Sequence, residues 1–120
     1  MEYILDENAG ILHVRPAGPL REEDFAALTR AADGYISREG ELAGLIVETR
    51  RFPGWEDLAA ALGHFRFVKD HHAKIRKVAL VTESPLGSIG QHLASLFVSA
   101  EIRKFDMDEL AAARDWIATG

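Results

Sequence analysis

The sequence predicts one α/β domain over residues 1–120, in the element order β-β-α-β-α-β-α-β-α. The first reason is that short β-branched or aliphatic runs alternate with stretches in which apolar residues recur at helical spacing. The second is that no internal repeat, low-complexity segment or linker divides the chain. Because strands joined by crossover helices run parallel, we expect a mostly parallel mixed sheet with flanking helices, in which only the first strand runs against the rest.

Composition sets the size and the surface of this domain. The chain has 120 residues, of which 48% are apolar, so it can bury one hydrophobic core and not two. Its net charge of −5 repels phosphate backbones, so we do not expect it to bind nucleic acid. It has no cysteine, which excludes thiolate chemistry and cysteine-based zinc sites and suits a reducing compartment.

The amino-terminal residues and the hydropathy of the chain predict a soluble, cytoplasmic protein. Residues 1–7 lack the basic start and the long apolar run of a signal peptide. No segment approaches the roughly 20 apolar residues that a membrane span needs. Peripheral contact with a membrane surface is compatible with the same pattern.

Local patterns predict the first four elements. Residues 3–6 and 11–14 are apolar runs around a turn that ends at Gly10, which predicts a hairpin. A helix then runs from Arg21 to a glycine stop at Gly40, with acidic residues in its first turn and a buried stripe at helical spacing: Phe25, Leu28, Ala32 and Ile36. The run at residues 45–47 predicts a buried strand.

The middle of the chain predicts a second helix and another buried strand. Pro53-Gly54 marks a turn, after which large apolar residues recur as the buried stripe of a helix: Trp55, Leu58, Leu62 and Phe65. Residues 78–81 then predict the next strand.

The last part predicts a helix, a strand and a final helix. Ser84-Pro85 resembles an N-cap followed by proline at the first helical position, ahead of a third apolar stripe: Leu86, Ile89, Leu93, Leu96 and Phe97. A strand at residues 102–105 leads into Asp106 and, three residues later, Glu109. This pair resembles a capping box for a final helix over residues 107–117.

Three strings in the chain are similar to those of a known family. They are residues 51–55 (Arg-Phe-Pro-Gly-Trp), residues 70–75 with Asp-His-His ahead of Lys-Ile, and residues 100–105 (Ala-Glu-Ile-Arg-Lys-Phe). With the element order, they make the chain resemble the SpoIIAA-like family of small bacterial proteins, related in fold to STAS domains. The resemblance covers nearly the whole chain and implies a mixed sheet flanked by helices, without established catalytic activity.

The resemblance also implies two kinds of function. Some members of the family are thought to bind a hydrophobic ligand or to approach a membrane surface, by analogy with lipid-carrying SEC14 domains. Regulatory STAS proteins instead carry a phosphorylatable serine at the start of the helix after the third strand. Residues 49–55 contain no serine and Thr49 is their only hydroxyl, so a phosphoserine switch is not expected.

A histidine cluster allows two interpretations. Imidazole and carboxylate groups are common metal ligands, and they occur close together here: His64, Asp70, His71 and His72. Cations at the carboxyl end of a helix also stabilise its free carbonyls, by about 1 kcal/mol or less. We favour the capping role, and we predict no metal and no cofactor.

Residues 51–55 are the candidate ligand site, because they follow a strand at the edge where open α/β sheets bind ligands. Aromatic rings suit an apolar chain, and a guanidinium suits an anionic head group. With the start of the third helix opposite, the predicted ligand-binding residues are Arg51, Phe52, Trp55, Leu86, Ile89 and His92. The alternative is that Trp55 only fixes the helix start to the core, and that the glycines of residues 84–90 serve close packing rather than an anion site.

Phe67 is the candidate interface residue. On a helical wheel it lies about 180° from the stripe that ends at Phe65, so we expect it to be exposed and to contact a second copy in a homodimer. Residues 66–77 are basic in an otherwise acidic chain. They form either a solvated surface or a docking surface for anionic lipid.

The sequence contains no catalytic motif of the Gly-x-Ser-x-Gly, cysteine-nucleophile or His-Glu-x-x-His kinds. Glu48 and Glu83 follow strands, where a carboxylate can meet a histidine. We expect a non-enzymatic binding module for a small hydrophobic or amphipathic, lipid-like ligand, with membrane-surface association. The alternative is a STAS-like protein-interaction or regulatory domain that acts as a homodimer without ligand. A concave apolar pocket favours the first and a flat apolar patch the second.

Overall fold

The computed structural model describes residues 1–83 and 100–119. In these two ranges it contains five strands and three helices: β1 (Glu2–Asp6), β2 (Ile11–Arg15), α1 (Glu22–Glu39), β3 (Leu42–Glu48), α2 (Leu58–His71), β4 (Ile75–Val81), β5 (Glu101–Phe105) and α3 (Leu110–Ala118). A short 3₁₀ turn, His72–Lys74, joins α2 to β4. The helix predicted to begin at Ser84 lies outside the described residues.

The strands form one mixed sheet in the order β1-β2-β3-β4-β5. β1 is antiparallel to β2, and the three other pairs are parallel. The predicted α/β class and the predicted direction of the first strand are therefore confirmed. Since β2 to β5 run the same way, the loops that follow them leave the sheet at one edge, which we call the carboxyl edge.

Helices cover both faces of the sheet. On one face α1 and α2 pack on the larger core cluster, which includes Phe25, Leu28 and Phe67 with strand residues such as Leu12 and Val78. On the other face α3 packs on a smaller cluster: Ile11, Ile46, Ala79, Val81, Phe105, Ala113 and Ile117.

The bounds of α1 agree with the prediction. The carboxylate of Asp24 in the first turn accepts a hydrogen bond from the Arg21 N–H at 2.9 Å. The helix ends at Gly40, whose φ of 94° is a conformation that other residues rarely adopt, and whose N–H donates to the Ile36 carbonyl at 2.8 Å.

The start of α3 differs from the prediction. The Glu109 carboxylate accepts a hydrogen bond from the Asp106 N–H at 2.8 Å, as the pattern indicated. However, this bond closes a turn ahead of the helix, and Glu109 itself occupies the N-cap position. The helix therefore begins at Leu110 and not at residue 107.

The orientation of α2 is a larger correction. The helix buries Ala60, Phe67, Val68 and His71, and it exposes the stripe of large residues that was expected to be buried. Phe67 is only 5% exposed, so the prediction that it is exposed is wrong. Its assignment to a dimer interface depended on that exposure and is therefore no longer supported.

Small residues on α2 account for this orientation. A Cβ placed on Gly63 would lie 3.8 Å from the Phe25 ring, an ordinary contact distance, so α2 packs on α1 at this point. Phe67 then fills the space beside the same ring, with centroids 6.4 Å apart. α2 has apolar residues on two opposite sides, and its packing against α1 buries the side that carries Ala60 and Phe67.

α3 also packs closely, against β3 at Gly44. A Cβ on Gly44 would lie 2.6 Å from the Ile117 side chain, which is inside any normal contact distance. Near the end of the helix, the buried Lys77 donates a hydrogen bond from Nζ to the Trp116 carbonyl at 2.7 Å and lies over the Trp116 ring. A cation at this position also complements the negative end of the helix dipole.

We predict that Gly44→Ala destabilises the protein by about 1–3 kcal/mol, because the added methyl group forces Ile117 and α3 away from the sheet. The free energy of unfolding in urea measures this. The matched control is Gly34→Ala in α1, where an added Cβ meets nothing within 4 Å. That variant should be neutral or more stable by up to about 1 kcal/mol, since alanine has the higher helix propensity. Equal effects at the two positions would contradict the close approach of α3.

Candidate functional site

Large apolar side chains form an exposed face on α2 and on the loop before it. Leu58, Leu62 and Phe65 are 74%, 52% and 36% exposed. Ring contacts extend this surface beyond the helix, because the Trp55 ring lies 6.1 Å from Phe65 and the Phe52 ring lies 5.1 Å from Trp55. We call these five residues the apolar face. Exposed apolar residues that lie next to one another often mark an interaction site.

His64 connects the apolar face to the core. Its Nδ1 accepts a hydrogen bond from the Trp55 indole N–H at 3.1 Å, and its ring stacks on Phe25 with centroids 4.9 Å apart. Burial lowers the pKa of His64 to about 4, so the ring is neutral at pH 7 and its Nδ1 can act as an acceptor. Trp55 is thus fixed to the core, as the structural alternative expected, while part of its ring remains on the surface.

The loop from residue 49 to residue 57, which we call the β3–α2 loop, is held by backbone hydrogen bonds at both ends. Near its start, the Thr49 N–H donates to the Val81 carbonyl at 3.0 Å and the Glu83 N–H donates to the Arg50 carbonyl at 2.9 Å. Near its end, the N–H of Leu20 donates to the Gly54 carbonyl at 2.8 Å. Gly54 has a φ of 77°, which suits glycine in the predicted Pro-Gly turn.

A cavity of about 440 Å³ lies at the carboxyl edge of the sheet. Residues 15–18 after β2, residues 48–51, Pro53 and Met107 line it. We call it the edge cavity. It adjoins the apolar face through the β3–α2 loop, since Arg51 and Pro53 line the cavity while Phe52 and Trp55 belong to the apolar face.

Three arginines line the edge cavity, and two of them form ion pairs. Arg15 lies 3.2 Å from the Glu2 carboxylate, and Arg50 pairs with Glu83. Arg51 forms no ion pair with any residue in the described ranges. Both existing pairs are largely exposed to water, where such interactions contribute about 0–1 kcal/mol.

A partly buried histidine–glutamate pair lies between β2 and β3 beside this cavity. His13 Nε2 lies 2.8 Å from the Glu48 carboxylate, and Glu48 itself lines the cavity. The sequence placed Glu48 after a strand but did not indicate its partner. The pairing of the two strands explains this contact. In the parallel register His13 is aligned with Ile46, so the side chain of residue 48 lies close enough to contact His13.

The structure describes three of the six predicted ligand-binding residues. Arg51 lines the edge cavity, and Phe52 and Trp55 form part of the apolar face, so these three lie together on one loop. Leu86, Ile89 and His92, together with the anion site considered for residues 84–90, lie outside the described residues. Arg15 is a candidate residue that sequence reasoning missed.

Two histidines of the cluster, His64 and His71, each contact different residues. His71 is buried, with Nδ1 2.8 Å from the Phe67 carbonyl of its own helix and Nε2 2.8 Å from the Asp33 carboxylate of α1. His64 is engaged with Trp55. Among the described residues, potential metal ligands converge instead in an exposed acidic turn at Asp106, Asp108 and Glu109. Acidic turns of this kind are common without an ion, so this one provides no argument for a metal.

These features define a class of protein. The five-stranded mixed sheet with helices on both faces matches a SpoIIAA-like, STAS-related fold, which is generally a non-enzymatic fold and suggests an interaction or regulatory module. The profile of the SpoIIAA-like family matches residues 11–118, and the chain belongs to this family. Within the described ranges, no helix has the length and the apolar character needed to cross a bilayer.

A solved structure supports the same fold. It is the crystal structure of an uncharacterized protein of the DUF3478 family, with a SpoIIAA-like fold, from Shewanella loihica PV-4. The two chains superpose with a TM-score of 0.69 at 20% sequence identity, over 89% of this chain and 83% of that chain. No curated protein matches the chain.

We predict that His64 makes the stability of the protein depend on pH. The ring titrates near pH 6.5 in the unfolded chain and near pH 4 in the folded protein. The unfolded state therefore binds the proton first as the pH falls, so the free energy of unfolding decreases between these two values. The decrease attributable to His64 is at most about 3 kcal/mol. Urea unfolding at about pH 7 and about pH 4.5 measures it.

The comparison variant is His64→Gln, which keeps an acceptor for the Trp55 indole but does not titrate. Carboxylates titrate in both proteins, so the difference between the two pH dependences isolates His64. The variant should lose less stability on acidification than the original protein. Identical losses would contradict the buried neutral ring.

Proposed function

We propose that the protein is a non-catalytic binding module for a small amphipathic, lipid-like ligand, whose apolar part lies against the apolar face. The observation that carries this proposal is the orientation of α2, which buries Ala60 and Phe67 and leaves Leu58, Leu62 and Phe65 exposed. Full burial of one such side chain is worth about 1.5–3 kcal/mol. These side chains remain exposed when the described residues fold. A ligand that covers the apolar face would bury them, and this burial would stabilise the complex.

Charge next to the apolar face favours an amphipathic ligand over a purely apolar one. Arg51 is exposed and lies one residue from Phe52, at the point where the apolar face meets the edge cavity. Its guanidinium can pair with an anionic head group while the rings of Phe52 and Trp55 contact the attached chain.

The same arrangement supports association with the surface of an anionic membrane. Arg66 and Lys69 are exposed on α2, close in sequence to Phe65. A cation near an anionic bilayer contributes about 1 kcal/mol. In this form of the proposal, the apolar face contacts the acyl region and the cations contact the head groups.

A protein-interaction module is the second candidate. The apolar face is a patch on the outside of a helix, and such a patch taken by itself favours a protein partner or a second copy of the chain, whereas the adjoining edge cavity favours a ligand. The predicted homodimer stays a prediction, with the apolar face in place of Phe67 as its contact. The experiment below separates it from ligand binding.

We predict that Leu58→Ser and Leu62→Ser each weaken binding of lysophosphatidylcholine by about tenfold, because each removes apolar area worth at least about 1.4 kcal/mol. The emission of Trp55 reports binding when Trp116, the other tryptophan, is replaced in a Trp116→Phe background. Burial of Trp55 by the lipid should move its emission to shorter wavelength.

The matched control is Ile4→Ser on β1, because Ile4 is 56% exposed and lies outside the apolar face. This variant should bind lysophosphatidylcholine as the parent does. Absence of any emission shift in the parent, together with a dimeric mass in light scattering that falls in the Leu62→Ser variant, would replace ligand binding by the homodimer.

A further inference from the structure

Three arginines line the edge cavity, one from the end of a strand and two from a loop. Arg15 comes from the end of β2, and Arg50 and Arg51 come from the β3–α2 loop. Among the described residues that line the cavity, Glu48 is acidic, and its carboxylate already has a partner in His13 at 2.8 Å. Within the described residues, the cavity wall thus carries more positive than negative charge in a protein whose net charge is −5.

The wall that carries Arg50 and Arg51 is held in place before any ligand arrives. The Arg50 carbonyl accepts hydrogen bonds from the Glu83 N–H at 2.9 Å and from the Thr82 hydroxyl at 3.1 Å. The Arg51 carbonyl accepts one from the Thr49 hydroxyl at 2.8 Å. A backbone fixed in this way reduces the ordering cost of binding.

The three arginines can contact an anion without losing a strong interaction. Arg51 forms no ion pair within the described ranges, and the partners of Arg15 and Arg50 are exposed carboxylates in weak pairs. Guanidinium groups bind phosphate through two parallel hydrogen bonds, which makes several converging arginines suited to a doubly charged tetrahedral anion.

We infer that the edge cavity binds a phosphate group, either the head group of the amphipathic ligand or a free phosphate. The inference deepens the proposed function and rests on it for the part of the ligand that lies on the apolar face. Arg51 is the main contact, since its guanidinium has no competing partner among the described residues. Glu48 weakens binding through its negative charge.

The first test is a titration with inorganic phosphate, followed through the backbone amide NMR signals of residues 48–52 and 54. Arg51→Gln should weaken binding by about tenfold or more, because it removes a charge-assisted contact. Glu48→Gln should strengthen binding, since it removes a negative charge from the cavity and keeps a hydrogen-bonding partner for His13. The control is Arg30→Gln, an exposed cation of α1 outside the cavity, which should leave the affinity unchanged.

The second test identifies the source of the phosphate, using co-sedimentation with phosphatidylcholine vesicles with and without phosphatidic acid. Stronger binding to phosphatidic acid that is lost in Arg51→Gln identifies a lipid head group. Binding of inorganic phosphate without a preference for phosphatidic acid supports the cavity site and assigns it to a free phosphate.

Two results would overturn the inference. One is that inorganic phosphate and phosphatidic acid bind the original protein no better than they bind Arg51→Gln. The other is that Arg30→Gln weakens binding as much as Arg51→Gln does, which would show a response to net charge alone. Either result leaves the proposed function standing if lysophosphatidylcholine still binds and Leu62→Ser still weakens it, so the two failures are distinguishable.

Discussion

Close packing of α2 against α1 is the constraint on which the exposed surface of this protein depends. Ala60 is fully buried and Gly63 faces the Phe25 ring, so the two helices meet where α2 has little side-chain volume. His71 then joins the helices through the Asp33 carboxylate. Turning α2 by half a turn would bury Leu62 and its neighbours, but larger side chains would have to occupy the space of an alanine and a glycine. Overpacking of this kind costs about 1–3 kcal/mol at each position.

The parallel part of the sheet determines where the edge cavity lies. Since β2 and β3 run in the same direction, their following loops meet at the carboxyl edge and enclose the edge cavity together. The β3–α2 loop then passes from this cavity to the start of α2. Arg51 therefore lies at the cationic cavity, and Phe52 and Trp55, which follow it in the loop, lie on the apolar face.

The sequence predicted most of the described fold because each strand has a local apolar signal and α1 has one clear apolar stripe. It did not predict the inward face of α2, since that helix is apolar on two sides and periodicity alone does not indicate which side packs. Three residues of the candidate site, Arg51, Phe52 and Trp55, were found from their position after a strand. Arg15 and His13 were not, because their nearness to residues 48–51 depends on strand register, which local patterns do not specify.

The two surfaces differ in what they contribute to binding. Partial burial of several large apolar side chains, at about 1.5–3 kcal/mol for a fully buried one, can approach the roughly 8 kcal/mol of a micromolar complex after the cost of association. A single arginine–phosphate contact adds about 1.5–3 kcal/mol and requires a defined geometry. In the proposed complex, the apolar face would therefore account for most of the affinity and would tolerate variation in the chain it covers. The edge cavity would fix the direction in which the proposed ligand lies, since only one end of an amphipathic molecule gains from exchanging water for guanidinium.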